Sequence, residues 1–540
     1  MNSPGQLRKW SHSVAEYLHS FPNDHPLQIA LRTYSLALSL SLGPVLAGFI
    51  ANPRRKGVAY LLRALRRELG LTGFASAMTV AVAGGAALKS VLSYLERERP
   101  EVLPQRLRAL LSRMKDAHQT FFANALSAYV AIVLLQLRHN RPSTRAVGSP
   151  RSPPASQKPS ATLDLTLLLL VRALDAGVRS TILPPPAVQN VSSKEELKRA
   201  ERRRKSLSAR IDAMIFWASS ARIMWCFFYE PQRLPRSYNK WIMTLANIDP
   251  RILEALRAIR EGRWSYTRQI AMPPDLLTSL SRDLGYSASW GDVKRLPPYG
   301  GRRANASWQT LGVSNRTGLG GIPCELVHGG IGGGSCTANT VLRGGKAFAE
   351  AMLIYLPVHF LPILLTRPRK LARAHHLVNT VLAVTRSAAF LSGFVSSIWA
   401  AVCLTRTLLL ARLFPWVSHD FWDGPHGCAF IGTLVCGGSI WIEQGHRRGE
   451  MALYVLPRAI RACLPEALLK SGLRLRLLER LVFTLSLATL LTKSVHDSSS
   501  LRGLSRWTVA FVMNGPNAGF WKKKREDSSD PPSPRAPYTI

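Results

Sequence analysis

The sequence predicts an all-α polytopic membrane protein built from two related helical bundles, each of four to five hydrophobic helices. Three observations carry that expectation. Hydrophobic residues make up 46% of the 540 positions while the formal charge is +39. The apolar residues gather in runs with Lys and Arg between or beside them, the segregation expected when a bilayer receives the apolar side chains. The third observation is that the chain resembles itself.

The self-resemblance is clearest between Asp164–Val178 and Glu450–Leu464. Asp164 faces Glu450, Leu167 faces Leu453, Arg172 faces Arg458, Ala173 faces Ala459 and Ala176 faces Ala462. Two further matches keep the same order. LAGFIANPRRKG (46–57) resembles LPILLTRPRKLA (361–372), and ARIDAMIFWASSA (209–221) resembles LLERLVFTLSLA (477–488). In the last pair Asp212 faces Glu479, Phe216 faces Phe483 and Ser219 faces Ser486. The spacing between partners shortens along the chain, so the first half carries extra pieces. They fall near 139–161 and 185–206, where the sequence is most polar. An internal duplication accounts for all of this.

The elements follow in order. Leu7, Trp10, Val14, Leu18 and Phe21 fall at helical spacing, so 1–30 reads as an amphipathic segment and not a secretory leader. Tyr34–Ala51 is a first apolar run, ended by Asn52-Pro53-Arg54-Arg55-Lys56, whose basic side chains can snorkel. Leu71–Leu92 follows, with small residues at Ala81–Ala87 that let a neighbouring helix approach. Leu103, Leu107, Leu110, Leu111 and Met114 among basic residues predict a helix lying on an anionic lipid surface. Phe121–Leu137 is the third run, and Leu163–Ile182 the fourth. Ser193 and Glu196 form a capping box for a charged helix leading into the fifth run, Ile211–Tyr229.

Residues 246–322 lose hydrophobicity and gain Pro, Gly and aromatics, which reads as a connector with one helix near 250–261. The second half has runs at Phe348–Leu365, Leu377–Leu410, His426–Trp441, Met451–Leu464 and Leu478–Leu491. The expected organisation is therefore a first membrane repeat at 31–245, a second at 323–516, and a polar tail at 517–540. The fourth run of each half carries an arginine and is expected to be short, tilted or interfacial. Arg172 and Arg458 are thus candidates for a polar path or for pairing with a carboxylate, because an ionisable residue at membrane depth points to function. The alternative is that they snorkel or form a structural pair with the neighbouring helix.

Composition excludes several classes. The chain has no finger, basic zipper or aromatic RNP signature, so no nucleic-acid partner is expected despite the charge. Seven scattered cysteines do not make a disulfide framework. The sequons at Asn190, Asn305 and Asn315 are expected to be silent. His328-Gly329-Gly330 suggests a lipase oxyanion hole, but no Gly-x-Ser-x-Gly elbow accompanies it. The same Gly-rich stretch lacks the strand and acidic partner of a dinucleotide loop, and Gly344-Gly345-Lys346 lacks Walker spacing. Cys324, His328 and Cys336 read either as three metal ligands, with His359, His375 or His376 as a fourth, or as a structural Gly-rich turn with buried thiols. No cofactor is expected, and no catalytic constellation emerges.

Pro323-Cys324, His328 and Ser335-Cys336, followed by AFAEAMLIYLPVHFLPILLTRPRKL (347–371), AAFLSGF (388–394), FPWVSHDFWDGPHGCAFIGTLVCGGSIWIE (414–443) and HRRGEMALYVLPRAIRACL (446–464), resemble the Cys-rich amino-terminal region of the transmembrane protein 135 family. The Gly-rich sequence after His328 departs from the shorter Pro-containing spacer expected there. More distantly, Ala81–Ala87 and the Gly432, Gly437 and Gly438 cluster are similar to the four-helix import-channel family of the mitochondrial inner membrane and its peroxisomal 24-kDa relative. The resemblance implies a non-enzymatic, multi-pass protein of the peroxisomal or mitochondrial membrane, supporting lipid or metabolite movement or organelle organisation. Its partners would be the lipid bilayer, with homo-oligomers through small-residue helix faces. The alternatives are a transporter or channel with a polar path between the repeats, and a metal-dependent membrane enzyme.

Overall fold

In the computed structural model the described residues are 21–52, 57–102, 104–140, 160, 162–184, 194–268, 275–314, 316–366, 368–465 and 472–515. The amphipathic start at 1–20, the polar stretch 141–159, Ser193 of the expected cap, Asn190, Asn315 and the tail from 516 lie outside them. Among the described residues the chain is helical and no strand forms. Six helices are long and apolar enough to cross a bilayer: Pro26–Ala51, Val58–Glu98, Asp116–Arg138, Glu195–Tyr229, Cys336–Leu364 and Ala374–Leu413. They mark a multi-pass membrane protein.

The chain divides into two compact units, Met1–Pro185 with Lys470–Ile540, and Pro186–Leu469. The first unit begins with α1 (Pro26–Ala51), α2 (Val58–Leu69), α3 (Phe74–Glu98), α4 (Gln105–Arg113), α5 (Asp116–Asn140) and α6 (Leu163–Thr181). The ring of His25 accepts the Leu27 N–H at the start of α1, and Pro26 occupies the first turn, where no N–H is needed. Only Ile29, Thr33 and Ala37 of α1 are buried, while Leu40 and Ile50 point outward. An apolar helix that buries so little of itself and turns its large aliphatic side chains outward is suited to lipid rather than water. α3 meets α5 through Ala77, Ala81 and Gly85, and Ser127 of α5 donates to the Val80 carbonyl. The small-residue face expected at 81–87 is therefore used inside this unit.

The second unit contains α7 (Lys194–Tyr229), α8 (Arg236–Ala246), α9 (Pro250–Arg260), α10 (Leu276–Asp283), α11 (Arg302–Leu311), α12 (Cys324–His328), α13 (Cys336–Thr366), α14 (Ala374–Cys403), α15 (Leu410–Leu413), α16 (His419–Trp422), α17 (Cys428–Cys436) and α18 (Gly445–Cys463). The expected charged helix and fifth run are one continuous α7. α7 packs on α17 and α18, and α14 on α13 and α17. The chain then returns to the first unit with α19 (Leu473–His496), packed on α5 and α6, and α20 (Gly503–Asn514), packed on α1.

The compact units therefore differ from the linear halves 31–245 and 323–516. α7 belongs with the helices of the second half and α19 with those of the first. Buried faces select these partners, not order in the chain. The matched positions nonetheless share their environment. Asp212 and Glu479, Phe216 and Phe483, and Ser219 and Ser486 are all buried, as are Leu167 and Leu453, and Ala176 and Ala462.

The stretch expected as a connector is a packed layer of the second unit. Trp264, Tyr266 and Trp308 are fully buried there with Leu253, Leu277 and Leu280. Arg257 donates to the carbonyls of Phe227 and Phe228, and Arg260 to that of Tyr229. These are the last carbonyls of α7, which lack partners within the helix and favour a cation. Asp420 accepts from Ser265, from Thr267 and from the Tyr266 N–H at 2.7 Å, fixing the turn that carries Trp264 and Tyr266.

Candidate functional site

Three features of the second unit hold its chemistry. The first is an apolar cavity of about 350 Å³ between α7, α8, α14 and α18. Phe216 and Phe228 wall it on one side, Trp241 on another, and Phe390, Phe394 and Trp399 on a third. The sequence placed these aromatics on helices whose inward faces do not meet, so a gap remains that no side chain fills. Its size lies at the lower end of small-ligand sites. Polar groups in its wall include Glu450 and Tyr454 of α18, Ser220 of α7 and Tyr238 of α8. The cavity has room for hydrocarbon and offers little to a polar solute.

The second feature is a thiol and imidazole cluster. Cys324, His328 and Cys336 are buried, and one potential ligand atom from each lies within 4.8 Å of the others. Four glycines make this possible: Gly329, Gly330, Gly332 and Gly333 have φ of +60°, +78°, +72° and +56°. Side chains with a Cβ avoid that region, so the loop can turn back and return Cys336 to the end of α12. The loop thus reverses the chain; it follows a helix and not a strand, which removes the dinucleotide reading. The Nδ1–H of His328 donates to the Gly333 carbonyl at 2.8 Å, leaving Nε2 to face the sulfurs. Cys336 beside it and burial push the Cys324 thiol up to about 12.

Sequence reasoning missed a fourth member, Cys403. Its Sγ lies 3.7 Å from Nε2 of His328, and it packs with Cys324 and Cys336. The histidines considered for that place are elsewhere. His359 bonds the Tyr355 carbonyl and Arg447, and His375 bonds Asn379. Cys403 lies far along the chain in an apolar run, where a cysteine looks like any small core residue.

The third feature is a buried ion pair, also unforeseen. After Cys403 the chain makes one π-helical turn, Leu404–Leu408, which points Arg406 inward. Arg406 donates to both oxygens of Asp423, at 2.6 and 3.0 Å, and the Tyr266 hydroxyl donates to Asp423 at 2.7 Å. Burial opposes the charge on Asp423, but Arg406 and His419 hold its carboxyl well below the usual carboxylate range. Burial pushes the His419 imidazole down to about 4, against the pull of Asp423. Arg316 is fully buried nearby, donating to Cys324 Sγ at 3.2 Å and to the Gly320 carbonyl, with its guanidinium over Trp308.

The two arginines singled out from the sequence lie on helices outside the six of membrane length. Arg172 is half-buried on α6 of the first unit. Arg458 on α18 donates to the Tyr454 carbonyl and lies 3.9 Å from the Tyr454 ring and 5.2 Å from that of Tyr238, both at the cavity wall.

No family model, curated protein or solved structure matches the chain.

Proposed function

We propose that this chain is a non-enzymatic multi-pass protein of the peroxisomal or mitochondrial membrane that binds the acyl part of a lipid in its second unit and supports lipid movement. The observation that carries the proposal is the aromatic and aliphatic cavity between α7, α8, α14 and α18, in a unit that also bears three helices of membrane length. A hydrocarbon chain suits such walls, because they are almost entirely apolar and little polar surface loses water when it enters. Glu450, Tyr454 and Arg458 at one side supply polar contacts for the end of the lipid nearest its headgroup. The organelle rests on the sequence resemblance alone.

We further infer that the two units descend from one five-helix module whose last helix has been exchanged. α1, α3, α5, α6 and α19 correspond to α13, α14, α17, α18 and α7, and the matched residues share their burial. The apolar cavity then belongs to one copy of a duplicated scaffold, leaving the other free to diverge.

A photoactivatable fatty acyl probe in proteoliposomes tests the function. Crosslinks should concentrate on peptides of α7 and α14 that contain Phe216, Phe390 and Phe394, and Ile398→Trp, which fills the cavity, should reduce them several-fold. Labelling spread evenly over all six membrane-length helices, or unchanged in Ile398→Trp, would overturn the proposal.

A further inference from the structure

We propose that Cys324, His328, Cys336 and Cys403 form a closed four-ligand site for one structural zinc ion. The inference is independent of whether the cavity holds lipid.

Geometry comes first. Zinc binds sulfur at about 2.3 Å and imidazole nitrogen at about 2.0–2.1 Å in a tetrahedron, so ligand atoms along one edge lie about 3.6–3.8 Å apart. Cys403 Sγ and His328 Nε2 are 3.7 Å apart. The sulfurs of Cys324 and Cys336 and a ring nitrogen of His328 lie within 4.8 Å of one another. Cys403 is outside that group, so closing the tetrahedron takes a rotation of its side chain toward the other two sulfurs as well as small rotations of the first three. All four residues are buried, and all three cysteines are free thiols. Three sulfurs and one imidazole complete the coordination of zinc without an open position, which makes the site structural and not catalytic.

Packing of small apolar thiols would explain the burial, but it does not explain the neighbours. The imidazole is already oriented: its Nδ1–H is given to the Gly333 carbonyl, so the lone pair of Nε2 points at the sulfurs, as in protein metal sites generally. Cys324 Sγ also accepts from the Arg316 guanidinium at 3.2 Å and lies 3.3 Å from the Thr407 hydroxyl. Arg316 is the stronger clue. It is fully buried, and among the described residues no carboxylate forms an ion pair with it. Asp423 acts on it from nearby but is already paired with Arg406, so two buried guanidiniums share one carboxylate and a further negative charge is needed close by. Three thiolates around a dication carry a net charge of about −1, placed against the Arg316 guanidinium.

The metal would also account for the arrangement of the chain. It would tie the end of α12 and the Gly-rich loop to the first residue of α13 and the last of α14, two packed helices of membrane length. The π-helical turn that presents Arg406 to Asp423 starts at the residue after Cys403, so the ion pair depends on where that ligand is held.

The full chain, purified in detergent under reducing conditions, tests the inference by elemental analysis and by cobalt substitution. The expected result is about one zinc per chain, lost in Cys403→Ser and Cys336→Ser but retained in Cys226→Ser and Cys436→Ser, whose thiols are buried outside the cluster. Because ligand variants can misfold, the wild-type chain supplies the deciding arm. After zinc removal, Co²⁺ should give the visible absorption of a tetrahedral thiolate site, and Zn²⁺ should abolish it. Failure of the wild-type chain to bind either metal would overturn the proposal. So would iron with labile sulfide, a disulfide between two of the three thiols, or full zinc content in Cys403→Ser.

Discussion

Asp423→Asn is the sharpest perturbation of the second unit. The substitution keeps the side chain's size but removes the charge that Arg406 meets through two hydrogen bonds, and both residues are almost completely buried. Removing one partner of such a pair costs about 3–5 kcal/mol, because the remaining charge stays buried without compensation. The amide oxygen still accepts one hydrogen bond, from Tyr266 or Arg406, which returns about 1 kcal/mol. A net loss of about 3 kcal/mol is therefore expected. Arg406→Met should cost a similar amount, and the double variant much less than the sum, with a coupling energy above about 2 kcal/mol. Equilibrium unfolding in mixed micelles gives the energies, and hydrogen exchange at residues 265–267 and 419–423 locates the loss. Additive energies, or an Asp423→Asn cost under about 1 kcal/mol, would refute the reading that the pair holds the packed layer to the helix ends.

The remaining predictions concern other parts of the chain. His419 is neutral in the folded unit, with Asp423, Arg406, Arg316 and Tyr266 around it, and its imidazole is pushed down to about 4. The unfolded chain binds this proton near pH 6.5 and the folded one only near pH 4. Stability should thus be full above about pH 6.5 and fall by about 3 kcal/mol as the pH drops to about 4; His419→Gln should flatten that slope in unfolding measured against pH. Gly437→Ala should destabilise the second unit by about 1–3 kcal/mol, because its Cβ would lie 2.6 Å from Cδ1 and 2.8 Å from Cα of Trp217; thermal unfolding checks this. Arg458→Leu should cost no more than about 1 kcal/mol in the same assay, since it removes a half-exposed cation–π contact.

The apolar runs were legible because each of the longest holds enough consecutive apolar residues to declare itself whatever surrounds it. The partners of those runs were not legible. Phe216 and Phe483 reveal which face of α7 and α19 is buried, but nothing local says that each packs with the opposite half of the chain. Cys324, His328 and Cys336 stood out because one short loop contains them. Cys403 and the pair Arg406–Asp423 did not, since they meet only when a π-helical turn ends α14 and the chain folds back through α16. Arg316 was hidden for a similar reason: its burial is a property of the layer built on Trp264 and Trp308, a stretch whose Pro and Gly content read as linker.

Subcellular fractionation with alkaline extraction and protease protection of the chain tagged at each end tests the central claim most directly. The expected protein sediments with peroxisomal or mitochondrial membranes, resists alkaline extraction and yields protected fragments spanning the membrane-length helices. A product released by alkali and fully open to protease would contradict it.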